Sequence, residues 1–286
     1  GKVFVMGEVS SVEDRDVVRG RVVDELVEPY ALSQEKVSSF QSDGWVHLPG
    51  LLSAEQAGAI YEGLKSFGDL EVGADEEWLT TAEYQQVLRM QDGMAWKDEF
   101  FHGVATSRRF ADTALKLMGA VEAKFILDMA FIKPAEKGLP TAFHQDWPYW
   151  PFDRQGALTI WVALVDLPVE SGTLQFLEGS HRAGPLGQYN RVAGDDIRLD
   201  YPSLESDFPR VGGAALKAGD ATVHMDMTVH GAGPNETDRE RAAYTARYLT
   251  TSARFTGIPH RHFDSFGMSS GDEFGKVDAF PTVRLE

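Results

Sequence analysis

Ala142-Phe143-His144-Gln145-Asp146-Trp147-Pro148-Tyr149-Trp150-Pro151 sets a histidine and an aspartate two positions apart, directly ahead of an aromatic run. On an extended strand, residues i and i+2 share a face. This reading aims one imidazole and one carboxylate the same way. His230, in Val229-His230-Gly231-Ala232-Gly233-Pro234-Asn235, is the candidate second imidazole. Two imidazoles and a carboxylate on one side of a metal leave its other positions open. Such a set suits non-heme Fe(II) working with a substrate and O2. The residues alone also permit a plainer reading: a hydrogen-bonded core histidine beside two solvated polar side chains.

The flanking segments read mostly as strands. Ala157-Leu158-Thr159-Ile160-Trp161-Val162-Ala163-Leu164-Val165 is an apolar strand. A turn at Glu170-Ser171-Gly172-Thr173 leads into the short strand Leu174–Leu177, then a second turn at Gly179-Ser180-His181. Lys217-Ala218-Gly219-Asp220 introduces an apolar strand expected to run on toward His230. Upstream the pattern is helical. Ser33 is placed to cap one helix, with Glu35 in its first turn. Ser53-Ala54-Glu55-Gln56 has the capping-box pattern for a second, with Ala57, Ile60, Tyr61 and Leu64 at helical spacing. Residues 69–80 are acidic and read as a loop. Arg108 to Gly119 reads as a helix, and Phe125 to Ile132 as a buried strand ended at Lys133-Pro134. Helices first and antiparallel strands later predict an α+β chain, with helices against a sandwich or barrel such as a jelly roll. Residues 1–31 read as an arm and 32–286 as one domain.

The chain resembles the phytanoyl-CoA dioxygenase family of Fe(II)- and 2-oxoglutarate-dependent oxygenases. The resemblance rests on His144 to Phe152, Trp161, Ser171-Gly172-Thr173-Leu174, Gly179-Ser180-His181, Gly219-Asp220, His230 to Asn235 and Arg241. It extends upstream through Leu32 to Val37 and Phe40 to Leu51. It implies a double-stranded β-helix core with flanking N-terminal helices. It also implies Fe(II) on His144, Asp146 and His230, with 2-oxoglutarate and O2 as co-reactants. Arg241, eleven positions after His230, is implied as the anchor for the distal carboxylate of 2-oxoglutarate. A guanidinium offers that carboxylate a planar two-toothed fork. Arg239 is the alternative anchor. Trp161 is implied beside the cosubstrate, and Thr159 shares its strand face. Some family members carry Ser where this chain has Ala232. In related halogenases the carboxylate gives way to Gly or Ala; with Asp146 present, the resemblance favours hydroxylation or another oxidative outcome.

Composition narrows the rest. There is no cysteine, which excludes disulfides, thiolate metal sites and cysteine nucleophiles; a reducing cytoplasm is the plain expectation. A net charge of −17 disfavours nucleic acid as a partner and gives at most a weak pull on a cationic substrate. No apolar run reaches the roughly 20 residues of a membrane span. The start lacks the order of a secretory signal, and Gly1 in place of Met reads as a trimmed or processed end.

Several residues are open between site and scaffold. Trp147, Tyr149 and Trp150 are read either as a cap on the barrel rim or as walls of the substrate pocket. His224 and Asp226 are expected on the same strand as His230, as decoys for metal ligands. His181 is expected to serve its turn, and His260 and His262 to lie in a solvated tail. The expected function is hydroxylation of an unactivated C–H of a small molecule from specialised metabolism. Desaturation, cyclisation or alcohol oxidation is the alternative outcome with the same cofactors. A non-catalytic cupin-like metal-binding protein is the alternative of another class. A zinc hydrolase fits less well, because nothing in it calls for Arg241.

Overall fold

The computed structural model describes residues 12–67, 89–136, 138–189 and 195–286. The loop expected at 69–80 lies outside them. The helices begin where the sequence supplies caps. α1 is Val12–Glu25, α2 Gln34–Asp43 and α3 Ala54–Leu64. The Ser33 hydroxyl accepts from Lys36 N at 3.2 Å at the head of α2. At α3 the capping box is complete: Gln56 N donates to Ser53 Oγ at 3.1 Å, and Ser53 N donates to Gln56 Oε1 at 3.0 Å. These bonds satisfy amide donors that the first turn of a helix leaves open. α4 (Met94–Lys97), α5 (Glu99–Thr106) and α6 (Arg108–Met118) follow, then the short α7 (Ile197–Asp200) and α8 (Leu204–Asp207).

The strands are β1 (Trp45–Leu48), β2 (Arg89–Asp92), β3 (Glu122–Lys133), β4 (Thr141–His144), β5 (Ala157–Ala163), β6 (Leu174–Leu177), β7 (Arg210–Gly212), β8 (Ala221–Met225), β9 (His230–Ala232), β10 (Arg241–Leu249) and β11 (Thr282–Arg284). They form two antiparallel sheets. The large sheet runs β1-β8-β5-β10-β3, with β11 and β2 sharing the free edge of β3. The small sheet runs β4-β9-β6-β7. This is the expected α+β architecture with a jelly-roll core.

Strand alternation decides what each face of the large sheet does. Tyr244, Tyr248, Ile160, Val162 and Val223 point outward into the main apolar core, against Phe40, Ile60, Phe101 and Phe110 of the helices. The opposite face carries Arg241, Ala243, Thr245 and Arg247 of β10. Their register partners are Lys133, Phe131, Met129 and Leu127 on β3, and Ala163, Trp161 and Thr159 face the last three on β5. That polar-containing face looks toward the small sheet, and the site lies between the two.

α1 belongs to the same core. Val22 and the following Leu26 are fully buried within it. Leu26→Ala is therefore expected to cost about 2–5 kcal/mol of stability. Urea denaturation measures this; a loss below about 1 kcal/mol would mean that the segment packs only loosely.

The C-terminal tail departs from its expectation. Phe263, Phe274 and Phe280 are buried with Phe152 and Phe255 in a second apolar cluster. β11 returns the chain to the edge of β3. His260 and His262 both stack on Trp150, at 5.2 and 5.5 Å between ring centroids. The tail is a packed wall, because its phenylalanines, spaced too irregularly to show a period, bury together in three dimensions.

Candidate active site

His144 and His230 face each other directly across β4 and β9. Their rings lie 4.4 Å apart between centroids, and both residues are buried. Each ring is fixed by its own backbone. His144 Nδ1 lies 2.8 Å from Ala142 O, and His230 Nδ1 lies 2.9 Å from Thr228 O. A carbonyl only accepts, so Nδ1 carries the hydrogen in both, and Nε2 of the neutral ring presents a lone pair. Both Nε2 atoms look at Asp146 Oδ1, at 3.4 and 3.5 Å. Three acceptor atoms thus converge within 4.8 Å of one another. A cation satisfies all three together. Burial, and then the neighbouring His224, holds the His230 imidazole well below its ordinary value, which keeps it neutral. Burial opposes ionisation of Asp146, yet its neighbours, Arg247 among them, hold its carboxyl well below the usual range.

Two details of the expected geometry are corrected. β4 ends at His144, and Asp146 has helical backbone angles, φ −77° and ψ −43°. The carboxylate reaches the site from the first turn after the strand, because Trp147 to Tyr149 wind directly into a 3₁₀ turn. Between them Gln145 turns away. It donates to Gly184 O and Met227 O and accepts from Leu186 N, which ties the turn to two neighbouring segments. Likewise His224 and His230 do not share a strand. His224 is on β8 of the large sheet and His230 on β9 of the small one; residues 226–229 cross between them. His224 still arrives at the site, with Nε2 3.2 Å from Asp146 Oδ2.

At the other end of β4, where Thr141 faces Ala232 two positions along β9 from His230, lies a second polar group. Arg241 is buried at 3% exposure, and its Nη1 donates to Gly172 O at 2.6 Å. Its Nε has no hydrogen-bond partner among the described residues. Its guanidinium lies 5.6 Å from the Trp161 ring. Directly opposite Arg241 on β3 is Lys133, fully buried, donating to Gly233 O at 2.9 Å and Thr141 Oγ1 at 3.2 Å. Burial, then Arg241, lowers the Lys133 amine to about 6, and burial lowers Arg241 to about 10. Among the described residues neither has a carboxylate partner. A second positive charge beside buried Arg241 is costly without an anion, which is why the amine is lowered; an incoming carboxylate would let Lys133 hold its proton. Arg239, the alternative anchor, precedes β10 and is 90% exposed. Thr141 lies across from Ala232, so a hydroxyl is present beside the position where some relatives carry Ser. Gly172 permits this packing: its φ is +74°, and a Cβ there would fall on the carbonyls of Gly233 and Pro234.

Thr159 faces inward between His224 and Arg247, at the metal-ligand end and away from Arg241. The aromatic run forms the rim above His144. Tyr149 sets its ring edge-on to His144 at 6.2 Å, and its hydroxyl meets the backbone O and N of Tyr189. Trp150 lies 4.3 Å from the Arg247 guanidinium, beneath the two tail histidines. Trp147 is partly buried in the tail cluster.

Lys133, Thr141 and Arg247 were missed from the sequence. In the sequence Lys133 reads as the end of a strand. Its signal is a charge in phase with Phe131 and Met129 on one face of an apolar strand. Arg247 carries the same signal, an even number of residues after Arg241.

The phytanoyl-CoA dioxygenase (PhyH) family model matches residues 40–243. A probable alpha-ketoglutarate-dependent hypophosphite dioxygenase of Stutzerimonas stutzeri is 22% identical over 228 residues, 77% of this chain and 79% of the relative. Among solved structures, the non-heme alpha ketoglutarate dependent carbocyclase SnoK from nogalamycin biosynthesis has a TM-score of 0.73 at 27% identity, covering 88% of this chain and 97% of that one. The epimerase SnoN, in complex with Fe3+, alpha ketoglutarate and nogalamycin RO, has a TM-score of 0.70 at 28% identity, covering 88% and 98%. Fold and site together define an oxygenase of the iron- and 2-oxoglutarate-dependent class. The chain belongs to the phytanoyl-CoA dioxygenase family. Among the described residues, no helix is long and apolar enough to cross a membrane.

Proposed function

We propose that the protein hydroxylates an unactivated C–H of a small molecule. In this reading His144, Asp146 and His230 hold Fe(II), while Arg241 and Lys133 hold the distal carboxylate of 2-oxoglutarate beside Trp161. The observation that carries it is the pairing of two groups on one inner face: three converging acceptor atoms, and two buried basic side chains that have no carboxylate partner among the described residues. When bound, iron and 2-oxoglutarate supply the oxidation, with O2 consumed and succinate and CO2 released. The chain's own residues orient and exclude. Trp147, Tyr149 and Trp150, with the tail above them, wall off water at the metal-ligand end, where the substrate enters. Residues 32–286 are read as one oxygenase domain, to whose core α1 and the residue after it add Val22 and Leu26 in place of the expected arm, and the cysteine-free composition carries the expectation of a cytoplasmic location.

SnoK and SnoN favour a second reading. They are a carbocyclase and an epimerase from nogalamycin biosynthesis. Cyclisation or epimerisation of a specialised metabolite uses the same ligands and anchor. The test is a screen of polycyclic and other specialised metabolites for stimulated succinate release, with product mass measured in the same assay. A gain of one oxygen supports hydroxylation; loss of two hydrogens or an isomeric product supports the second reading. No succinate release above that of Asp146→Gly with any substrate would sink both.

Tyr149→Ala is expected to uncouple the reaction: 2-oxoglutarate still decarboxylates while product per succinate falls. Wild-type coupling would make the run a structural cap.

The Lys133 amine gives a pH signature. Its folded value, about 6, lies below the ordinary 10.5. Between these limits the unfolded chain binds the extra proton, so the cosubstrate-free protein gains stability from this group as pH rises through the window. A carboxylate needs the charged amine. 2-Oxoglutarate binding should therefore take up a proton at pH 8 and weaken as pH rises. Calorimetry in two buffers of different ionisation enthalpy reads the uptake. Lys133→Met should abolish it; unchanged uptake in that variant would place the titrating group elsewhere.

A further inference from the structure

We propose that His224 and Arg247 are positioning residues that hold the outer oxygen of Asp146, so that this carboxylate meets its metal through Oδ1 alone. The proposal rests on reading Asp146 as a ligand. The two carboxylate oxygens face different company. Oδ1 looks at the lone pairs of His144 and His230, at 3.4 and 3.5 Å. Oδ2 lies 3.2 Å from His224 Nε2 and 3.4 Å from Arg247 Nη2. A carboxylate oxygen only accepts, so both contacts to Oδ2 are N–H donations. His224 therefore spends its Nε2 hydrogen on the carboxylate, whereas His144 and His230 turn Nε2 lone pairs toward it. That separates the third histidine from the other two without any appeal to sequence spacing.

The clamp is built into the large sheet. His224 on β8, Thr159 on β5 and Arg247 on β10 are register neighbours on three adjacent strands. The candidate ligands come from the small sheet and the turn that follows it, so the clamp joins the two layers at the metal position. The Arg247 guanidinium itself lies 4.3 Å from the Trp150 ring, which stacks with His260 and His262.

The consequence is a count of open positions. A carboxylate with both oxygens free can chelate and take two positions on a metal. If it did so beside two histidines and a bound 2-oxoglutarate, a six-coordinate iron would have no position left for O2. Tying Oδ2 into two N–H donors keeps Asp146 to one position and leaves one vacant. Partners of this kind, behind a metal ligand, typically change metal affinity or activity by about 10–100-fold when removed.

The test uses Co(II) in place of iron, because its absorption spectrum reports coordination number without turnover. His224→Phe keeps the ring and loses the donor; Arg247→Met keeps the stem and loses the charge. Both are expected to shift the Co(II) spectrum toward higher coordination and to weaken 2-oxoglutarate binding by about tenfold or more. His224→Gln, whose amide can still reach Oδ2, should restore the wild-type spectrum. Should His224→Phe fail to fold, His224→Asn, whose amide stops short, must show the same shift. Wild-type Co(II) spectra and affinities in folded His224→Phe (or His224→Asn) and Arg247→Met overturn the proposal. Loss of Co(II) binding by the wild type itself would instead remove the reading of Asp146 as a ligand.

Discussion

Arg241→Ala is expected to raise the KM for 2-oxoglutarate by a few hundred-fold or more while the protein stays folded. The size follows from burial. Removing one partner of a buried ion pair costs on the order of 3–5 kcal/mol, because the remaining charge is stranded in a low-dielectric site. Each 1.4 kcal/mol or so is a factor of ten. Arg241 is 3% exposed, with Lys133 directly opposite, so water cannot easily replace the lost guanidinium. Arg239→Ala, at an exposed position ahead of the strand, should leave KM within about twofold. Steady-state kinetics with saturating iron measure both. The reverse pattern would move the anchor to Arg239.

His144→Ala and His230→Ala are each expected to abolish Fe(II) binding and all coupled turnover. The three acceptor atoms are buried and pre-aligned, and two of them come from one cross-strand pair. Losing either imidazole leaves a two-ligand site, which cannot retain the metal against water and buffer. Asp146→Gly removes the third ligand and should collapse hydroxylation likewise. Metal analysis after desalting reads occupancy. Full occupancy and turnover in both histidine variants would remove the assignment.

Legibility varied with the range of the interaction. Ser33, Ser53 and Gln56 announced their helices because capping is settled within four residues. The apolar runs from Phe125 and Ala157 announced buried strands for the same local reason. His144 and His230 were found by type and motif, and the structure pairs them directly. Asp146 reaches the site by another route than strand alternation predicts: the strand stops at His144, and a turn delivers the carboxylate. For His224 the sequence predicts a decoy on one continuous strand with His230. The chain changes sheets between Met225 and His230, and that crossing carries no local sequence mark. Lys133 and Arg247 sat inside apolar strands, where a charge is expensive unless something meets it. That cost was the readable signal, though what each meets depends on register across three strands. The tail was opaque because its phenylalanines follow neither a helical nor a strand period.

The most direct test is an anaerobic titration of the metal-free protein with Fe(II) and then 2-oxoglutarate, followed by visible absorption. One Fe(II) should bind per chain, and 2-oxoglutarate should then develop the coloured band of its iron chelate. That band should need a far higher 2-oxoglutarate concentration in Arg241→Ala and be absent in His230→Ala. A chelate band of wild-type strength and affinity in both variants would contradict the site described.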